Sequence, residues 1–394
     1  MPPLDGIKVL DFSRVYVGPS CSQVLGDLGA DVYKVESIGL GDFSRHFMVA
    51  EDLEGESHSF LGLNRNKMSI CLDLRQPEAK EIVFKLVEIC DVVLQNFRPD
   101  VMGRLGLDYN ALKQHNPKII YASASGYGLT GPYQMKAGQD LVAQAMSGVG
   151  WLTGERNGPP FPCGAPIADY IGGMLLVQVI LAALWAREKT SEGQEVSVSL
   201  LDGMFPPQCE PATAYLSSGQ LERKITRPMY RFYQTKDEKW MVLVGAFREN
   251  PLRDICEVLG LPDLSQDERF NTWEKVSYEH ADELEAMFAE RLRTKTRDEW
   301  IKLLEEKDIL CGPVYTHEEA FSDPQVLHNE MVIEFDHPRA GKVRTVGMPI
   351  KFSKTPGKVR IPPPLLGQHT DEVLAMVGYS NEQIQQLRDT KVVA

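Results

Sequence analysis

The order of apolar and polar positions at the start of the chain has the rhythm of strands alternating with helices. Residues 7–11, Ile-Lys-Val-Leu-Asp, predict a short strand that ends in an acid. A helical stretch over 20–28 follows a Gly-Pro pair, and residues 31–36, Asp-Val-Tyr-Lys-Val-Glu, predict a second strand. Strand, helix and strand in this order form a βαβ unit, which predicts a parallel sheet with helices on its faces.

The same rhythm continues along the chain and extends the predicted parallel sheet. Further strand candidates lie at 68–72, 91–94, 118–122 and 194–200. Helix candidates lie at 78–89, 101–105 and 110–114, and in the long apolar run that follows Asp169. Alternating strands and helices of this kind are typical of α/β proteins, so we expect that fold class.

The pattern of predicted elements changes near residue 205, and this change predicts a division into domains. Residues 229–235 and 240–244 predict a β-hairpin, and two charged amphipathic helices follow it. The tail contains a strand candidate over 342–346 and a last helix that begins near Thr370. We predict a large domain whose first part covers 1–204, a linker over 205–221, a small α+β domain over 222–320, and a linker with a return to the large domain over 321–394.

Charge and composition disfavour several classes of partner. The 394 residues carry a net charge of -13 and are 43% hydrophobic, which argues against nucleic acid and anionic membranes. No run of about 18 uncharged apolar residues is present, and residues 1–6 lack the basic start of a signal peptide. Seven scattered cysteines indicate reduced thiols in the cytoplasm, and eight histidines without ligand spacing predict no metal site.

Asp169 is the most informative single residue, because its carboxylate stands where burial is costly. It is followed by Gly172 and Gly173, and then by an apolar run that reaches Trp185. The start of a helix also favours the charged form of an acid. Two interpretations stay open from the residues alone: a helix cap, for which aspartate is well suited, or a reactive carboxylate.

Basic residues follow predicted strands, where the ligands of open parallel sheets bind. Arg75 follows one strand candidate, and Arg98 and Arg104 follow the next. Guanidinium groups in such places suit phosphate groups, with solvated surface arginine as the alternative. The turn over 14–19, Arg-Val-Tyr-Val-Gly-Pro, lacks the G-x-G-x-x-G pattern and weighs against a nicotinamide or flavin dehydrogenase.

Taken in order, eight segments resemble the class III coenzyme A transferases, and their order and spacing are more specific than any one of them. The segments are 4–15, Leu-Asp-Gly-Ile-Lys-Val-Leu-Asp-Phe-Ser-Arg-Val; 64–70, Asn-Arg-Asn-Lys-Met-Ser-Ile; 95–99, Gln-Asn-Phe-Arg-Pro; 125–128, Ser-Gly-Tyr-Gly; Ala168-Asp169; 311–314, Cys-Gly-Pro-Val; 323–326, Asp-Pro-Gln-Val; and 365–370, Leu-Leu-Gly-Gln-His-Thr. That family includes the formyl-CoA, carnitine-CoA and succinyl-CoA:dicarboxylate CoA-transferases.

The resemblance implies a fold and an assembly. Each chain would form an open ring from a large Rossmann-like domain, a small α+β domain and two long linkers. Two such rings would interlock into a homodimer. The change in the pattern of predicted elements near 205, and the predicted return of the chain to the large domain near 325, fit this plan.

The resemblance also implies the chemistry, with Asp169 as the catalytic nucleophile. The aspartate would attack a donor acyl-CoA, pass through a mixed anhydride and an aspartyl-CoA thioester, and transfer CoA to an acceptor acid. Acyl-CoA and small carboxylic acids are the implied partners, and no permanently bound cofactor is implied. By the same resemblance, the CoA-binding residues are Val15, Leu72, Arg75, Asn96, Phe97, Arg104 and Lys136.

Departures from relatives bear on specificity. Ser37 stands where some relatives carry an arginine, and the loop 244–250 lacks the run of glycines of formyl-CoA transferases, which disfavours a formyl or oxalate substrate. Gln139 stands where the related α-methylacyl-CoA racemases carry a histidine. Because glutamine cannot titrate, a racemase or other CoA-ester isomerase is the disfavoured alternative. A catalytically silent acyl-CoA-binding protein is a third interpretation, which Asp169 opposes.

The expected substrates are short dicarboxylic acids, with a succinyl-CoA-like donor. Arg14 follows the first strand, and its guanidinium is suited to hold a second carboxylate bidentately while the first one reacts. The alternative is that Arg14 pairs with Asp11 or another structural acid. The other candidate substrate-binding residues are Tyr16, Arg45, Gln139 and Gly245, the last in a loop suited to a lid or an oxyanion donor.

Overall fold

A computed structural model gives the fold, and it describes residues 1–155, 158–220, 227–245 and 248–394. The contacts divide the chain into two compact units. The first unit contains Met1–Gly150, Pro162–Ser218 and His328–Ala394, and the second contains Trp151–Phe161 and Gly219–Leu327. The four-part domain division derived from the sequence stays a prediction.

A six-stranded parallel sheet organises the first unit and confirms the predicted α/β class. Its strands are β1 Lys8–Asp11, β2 Asp31–Glu36, β3 Lys67–Cys71, β4 Val92–Gln95, β5 Ile120–Ser125 and β6 Gln194–Ser199. Their spatial order is β3-β2-β1-β4-β5-β6, the order of dinucleotide-binding sheets. The order reverses between β1 and β4, and such sheets bind ligands outside the carboxyl ends of the strands at that point.

Helices cover both faces of this sheet. In chain order they are α1 Val17–Asp27, α2 His58–Leu63, α3 Pro77–Ile89, α4 Pro99–Leu105, α5 Tyr109–His115, α6 Asp140–Met146, α7 Val149–Leu152, α8 Ile167–Thr190, α9 Leu200–Gly203 and α10 Cys209–Ser218. Val9 and Val92 join a core with α1 and α8, whereas Leu10 and Val93 join a core with α3 on the opposite face. Successive strand residues point to opposite faces, so each strand serves both cores.

The apolar character of α8 follows from its packing. Leu176, Ile180 and Ala183 belong to the core that α8 forms with α1 and the sheet. By length and composition, α8 is the one helix in the described parts of the chain that would suffice to cross a membrane. This is weak evidence, because a buried core helix has the same composition.

The second unit has its own sheet and its own apolar core. Its elements are β7 Tyr230–Gln234, β8 Trp240–Val244, α11 Pro251–Leu259, α12 Ala281–Leu292, α13 Arg297–Glu305, β9 Leu310–Val314, α14 His317–Ser322 and α15 Pro324–His328. The predicted hairpin is present as the antiparallel pair β7 and β8, and β9 pairs with the other side of β8. Leu243, Phe288 and Trp300 are fully buried beneath this sheet.

The C-terminal part of the chain returns to the first unit. β10 Val332–His337 and β11 Gly341–Val346 form an antiparallel pair, followed by α16 Thr370–Met376 and α17 Asn381–Asp389. The sequence patterns predicted β11 and α16 and missed their partners β10 and α17. Val373 and Ile384 join the core around α3, so the last helices close one face of the parallel sheet.

Candidate active site

Two glycines allow the first turns of α8 and α1 to lie close together. A β-carbon on Gly173 would lie 2.2 Å from the Ser20 Oγ and 2.9 Å from the Val17 carbonyl oxygen. A β-carbon on Gly172 would lie 2.9 Å from a methyl group of Leu200. The Leu200 methyl group could move aside, but the backbone of Val17 leaves no room for a side chain at 173. The close approach at Gly173 brings the start of α8, with Asp169, beside α1.

The carboxylate of Asp140 caps the amino-terminal end of α8 from a different helix. Its Oδ1 accepts hydrogen bonds from the backbone N–H groups of Ala168, at 2.7 Å, and Asp169, at 3.1 Å. Its Oδ2 accepts a third from Nε2 of Gln144 at 2.6 Å. Pro166, at the N-cap position of α8, supplies no side-chain cap. The capping role proposed for Asp169 therefore belongs to Asp140, and the Asp169 side chain does not serve it.

The surroundings of the Asp169 carboxyl group favour its neutral form. Burial, and then the negative charge of Asp140, raise the pKa of Asp169 to about 7. Amide groups at the start of a helix ordinarily stabilise an anion, but Asp140 already occupies two of them. Burial and the nearby Asp169 also raise the pKa of Tyr16, so its phenol is a proton donor at neutral pH.

Asp169 opens into a cavity of about 640 Å³, which we call the Asp169 cavity. One face of α1 forms a wall, with Tyr16, Ser20 and Gln23 on successive turns. Other walls come from α2, the start of α8 and the region of β11, and they include His58, Leu63, Pro166, Tyr170, Met174 and Met348. The buried Oε1 of Gln23 has no hydrogen-bond partner within the described residues, so this wall holds an unused polar atom.

A second cavity, of about 900 Å³, lies at the carboxyl ends of β1 to β4, and we call it the Arg14 groove. This is the point where the strand order reverses, the expected place for a ligand. Its walls include Arg14, Ser37, Leu72, Arg75, Phe97 and Lys391. The guanidinium carbon of Arg14 lies 5.0 Å from the centre of the Phe97 ring.

Arg14 keeps unused hydrogen-bonding capacity in this groove. Its Nε is buried without a partner, and Arg14 forms no ion pair with any residue that the structure describes. The alternative that Arg14 pairs with Asp11 is wrong, because Asp11 accepts hydrogen bonds from Ser13 and Ser22 and lies 3.7 Å from Lys67. An unpaired guanidinium beside an aromatic ring is an arrangement suited to an anionic ligand.

The backbone at Arg14 and Val15 separates the two cavities. Arg14 lines the Arg14 groove, and the next residue, Val15, lines the Asp169 cavity. The N–H of Arg14 donates to Oδ1 of Asn96 at 2.9 Å, and Nδ2 of Asn96 donates back to the Arg14 carbonyl at 2.8 Å. The N–H of Val15 donates to Oδ1 of Asp42 at 3.0 Å. A ligand that reaches both cavities must pass this held segment.

Val15 adopts a backbone conformation that a β-branched residue rarely takes. Its φ is 70°, in the left-handed region, and such strain costs about 1–3 kcal/mol. The Asp42 side chain that holds Val15 is bound to Nζ of Lys34 at 2.8 Å, and both side chains are fully buried. Burial alone would raise the pKa of Asp42, but Lys34 lowers it well below its ordinary value. A permanently charged acid therefore holds the strained turn.

The structure gathers most of the predicted site residues around the two cavities. Those that line one of the cavities are Arg14, Val15, Tyr16, Leu72, Arg75, Phe97 and Asp169. The side-chain amide of Asn96 is hydrogen-bonded to the backbone of Arg14. Arg104 is exposed and pairs with Asp100 at 3.1 Å, and Lys136 lies over the ring of Tyr133. Neither lines these cavities, and their roles stay predictions, as does that of the exposed Gln139.

Two predicted substrate contacts do not fit the structure. Arg45 donates to both carboxylate oxygens of Glu36 at 2.7–2.8 Å and lies 3.5 Å over the ring of Phe60, so its guanidinium is not open to the Asp169 cavity. Arg14 faces the Arg14 groove instead of the cavity with Asp169. Gly245 lies in the second unit, where its N–H donates to the Met229 carbonyl at 2.7 Å, and its role in the site stays a prediction.

Sequence reasoning missed Asp140, Asp42 and Gln23. Asp140 starts a helix and Asp42 follows a glycine, and acids in such positions are ordinarily caps of their own segment. Their partners lie 28 and 27 residues away along the chain, so the local sequence does not identify them. For Gln23, its place on the same helix face as Tyr16 and Ser20 was the available signal.

Comparisons with known proteins find relatives in both sequence and structure. The family described as CoA-transferase family III matches residues 4–370. The chain is 35% identical over 398 residues to the succinyl-CoA:glutarate CoA-transferase of Homo sapiens, covering 99% of this chain and 90% of the relative. It is 34% identical over 419 residues to the formyl-CoA:oxalate CoA-transferase of Rhodopseudomonas palustris strain BisA53, covering 98% and 96%. A CAIB/BAIF family protein from Brucella suis has a similar structure, with a TM-score of 0.83, 33% identity and coverage of 95% and 99%.

Proposed function

Because this chain belongs to CoA-transferase family III and is a CoA-transferase, we propose that Asp169 is the nucleophile that exchanges CoA between short dicarboxylic acids. One observation carries this proposal. Asp169 lines one cavity, the unpaired guanidinium of Arg14 lines a second one, and the consecutive residues Arg14 and Val15 bring the two cavities side by side. A thioester needs such a pair of spaces, one for its acyl part and one for CoA.

The reaction proceeds through three covalent intermediates of two kinds, an anhydride, a thioester and a second anhydride. The ionised Asp169 attacks the thioester carbonyl of the donor, forms a mixed anhydride and releases CoA thiolate. The thiolate attacks the aspartyl carbonyl, which gives an aspartyl-CoA thioester and frees the donor acid. The acceptor carboxylate attacks this thioester, which forms a second anhydride and releases the thiolate again. Attack of the thiolate on the acceptor's acyl carbon yields the new acyl-CoA and restores Asp169.

The surroundings of Asp169 suit each of these steps. A carboxylate with a pKa of about 7 is poorly solvated and is therefore a better nucleophile than an exposed one. The raised pKa of Tyr16 keeps its phenol protonated, so it is placed to donate to the oxygen that gains negative charge in each attack. Anhydride and thioester both hydrolyse, so the mechanism requires that water be kept away from Asp169 during turnover.

The similar CoA-transferases support the substrate class. The relative from Homo sapiens is named for succinyl-CoA and glutarate, and the relative from Rhodopseudomonas palustris for formyl-CoA and oxalate. The Asp169 cavity is mixed in character, with Gln23 and His58 among aliphatic and methionine side chains. The loop at 244–250, whose residues 246 and 247 lie outside the described parts, lacks the run of glycines that the resemblance leads us to expect in formyl-CoA transferases. We therefore favour succinyl-CoA as donor and a dicarboxylic acid of about four to six carbons as acceptor, rather than formyl-CoA and oxalate.

Turnover with a panel of substrates tests this function. The purified protein is incubated with succinyl-CoA and, separately, succinate, glutarate, itaconate, butyrate, acetate and oxalate, and new CoA esters are identified by mass spectrometry. Hydroxylamine added during turnover should convert Asp169 into its hydroxamate. Asp169→Ala should lower kcat by about 10³-fold or more while the fold is retained. Substantial transfer by this variant, or a preference for monocarboxylic acceptors, would contradict the proposal.

We also propose that the protein is an interlocked homodimer. The outer face of the β7-β8-β9 sheet carries Tyr230, Phe232, Trp240 and Leu310, and each is about half exposed in the single chain. An apolar face of this kind on a charged protein is typical of an interaction surface. A second copy covering it should give a dimer that resists dilution, because interlocked chains separate only after partial unfolding. A fully active monomer at nanomolar concentration in mass photometry would contradict this assembly.

A further inference from the structure

The charges on the walls of the Arg14 groove leave two cations without a carboxylate partner. The acids on these walls are Glu36 and Asp73, and each is already bound to an arginine. Arg45 holds Glu36 at 2.7 Å, and Arg75 holds Asp73 at 2.7 Å. The remaining wall cations are Arg14 and Lys391, and neither forms an ion pair with any residue described in the structure. The groove therefore has a local surplus of positive charge.

This surplus stands out against the rest of the protein. The chain as a whole carries a net charge of -13, so the positive charge of this groove is opposite in sign to that of the whole protein. A groove at the carboxyl ends of parallel strands, with unpaired cations on facing segments, suits a ligand with phosphate groups. CoA carries a diphosphate and a 3′-phosphate, and the acyl end of its thioester must reach Asp169.

Lys391 reaches this groove because the C-terminal segment is fastened to the loop between β3 and α3. The N–H of Asp73 donates to the Val392 carbonyl at 3.0 Å, and Nε2 of Gln76 donates to the Lys391 carbonyl at 3.0 Å. A β-bridge joins Leu72 to Val393, whose side chain is buried. The backbone on both sides of Lys391 is thereby held, while its side chain is exposed on the groove wall.

We propose that Lys391 is a CoA phosphate-binding residue that the C-terminal segment contributes to the Arg14 groove. The inference rests on the placement of CoA in this groove. Ser37, on the same groove, contributes no charge, so Lys391 and Arg14 supply the cations that are free to meet phosphate. Lys391 acts on the affinity for the CoA part of the substrate and not on the chemistry at Asp169.

The test compares Lys391→Ala with two matched variants. Lys391→Arg keeps the charge, and Lys118→Ala removes an exposed lysine at the opposite, amino-terminal edge of the sheet, before β5. Both lysine and alanine have a β-carbon, so Lys391→Ala leaves the strain of the left-handed backbone at 391, with φ of 57°, unchanged. Steady-state kinetics with succinyl-CoA and a free dicarboxylic acid are combined with calorimetric titration of CoA.

Lys391→Ala should raise the KM for succinyl-CoA and the Kd for CoA by about 3- to 10-fold. The value of kcat and the KM for the acid should stay unchanged, and Lys391→Arg and Lys118→Ala should behave as wild type. With succinyl-pantetheine, which lacks every phosphate, Lys391→Ala and wild type should be equal. Titration of dephospho-CoA, which lacks the 3′-phosphate, then identifies the phosphate that Lys391 contacts. If Lys391→Ala no longer weakens binding of this ligand, the contact is with the 3′-phosphate; if it still does, the contact is with the diphosphate.

Two results would overturn the inference. One is a Lys391→Ala variant that binds CoA as tightly as Lys118→Ala does. The other is an equal loss for succinyl-pantetheine and succinyl-CoA, since that loss would not involve phosphate. The Arg14→Met variant shows whether such a result means that Lys391 does not bind phosphate or that CoA does not bind in this groove at all. If CoA lies elsewhere, Arg14→Met also leaves the Kd for CoA unchanged, whereas a failure of Lys391 alone leaves the effect of Arg14→Met intact.

Discussion

Asp140 accepts a hydrogen bond from the backbone N–H of Asp169 at 3.1 Å, so two acids share the start of one helix. They compete for the same amide groups, and Asp140 occupies them together with that of Ala168. The Asp169 carboxyl group is left partly buried beside a like charge, which raises its pKa to about 7. A helix start ordinarily stabilises an anion, but here it holds a carboxyl group whose pKa is raised.

The activity should depend on pH through the ionisation of Asp169. Only the carboxylate attacks a thioester, so kcat/KM for the acyl-CoA should rise with pH and level off above about 7. Asp140→Asn keeps an oxygen for the two amides but removes the charge, so the rise should move to lower pH. The measurement is kcat/KM for succinyl-CoA over roughly pH 5.5–8.5.

Asp108→Asn is the matched control for this experiment. Asp108 also caps a helix, α5, through the N–H of Ala111, and it does not line the Asp169 cavity. It should leave the pH profile unchanged. Asp140→Asn should also be somewhat less stable, because its new amide group faces the Nε2 donor of Gln144. An acidic limb at the same pH in wild type and Asp140→Asn would contradict the proposed effect of Asp140.

Asp169→Asn should stabilise the fold at neutral and alkaline pH. Because the folded pKa is raised above the unfolded value, the wild type loses stability as pH increases from about 4 to about 7 and then changes no further. Asparagine carries no such penalty. The free energy of unfolding of Asp169→Asn should therefore exceed that of the wild type by an amount that grows over this pH range to at most about 4 kcal/mol. Thermal unfolding at several pH values measures it. The exposed Asp5→Asn is the control, and a difference that shrinks with increasing pH would refute the assignment.

Asp42→Asn should destabilise the protein and impair catalysis together. It leaves the fully buried Lys34 without its charge partner and weakens the hold on the strained Val15, at a cost of about 3–5 kcal/mol. Because the pKa of Asp42 is depressed by Lys34, the stability from this pair is present at neutral pH and is lost as pH falls below the ordinary range of aspartate. Denaturant unfolding and kcat/KM are the measurements. Glu330→Gln, which breaks an exposed pair with Lys351, should change little.

Arg14→Met should weaken CoA binding and leave the choice of acid unchanged. The guanidinium lines the Arg14 groove beside Phe97, so its loss should raise the KM for succinyl-CoA by about tenfold. The ratio of kcat/KM for glutarate to that for butyrate should stay as in wild type. Arg344→Met, which removes an exposed arginine on β11 that lines neither cavity, serves as control. If Arg14→Met instead lost activity only with dicarboxylic acceptors, Arg14 would hold a second carboxylate, as the sequence predicted, and this prediction would be wrong.

Much of the fold was predictable because it follows from local chemistry. The alternation of short apolar strands with amphipathic helices predicted the parallel sheet, since each helix must cover an apolar face. The hairpin in the second unit followed from period-two patterning on both sides of a polar turn. Helix α17 escaped because seven of its nine residues are polar, and such a segment carries little periodic signal. Strand β10 was missed although Val332, Ile333 and Phe335 are apolar.

The sequence by itself determined the family and the parallel sheet, and it singled out Asp169 as the candidate nucleophile. Those conclusions rest on order along the chain and on a carboxylate among glycines. Only the tertiary structure decided what surrounds that carboxylate. The cap from Asp140, the Asn96 and Asp42 contacts that hold Arg14 and Val15, and the arrival of Lys391 at the groove join residues 27 to more than 300 positions apart. Hydrogen bonds and charge act through space, so pKa values and cavity walls are properties of the folded neighbourhood.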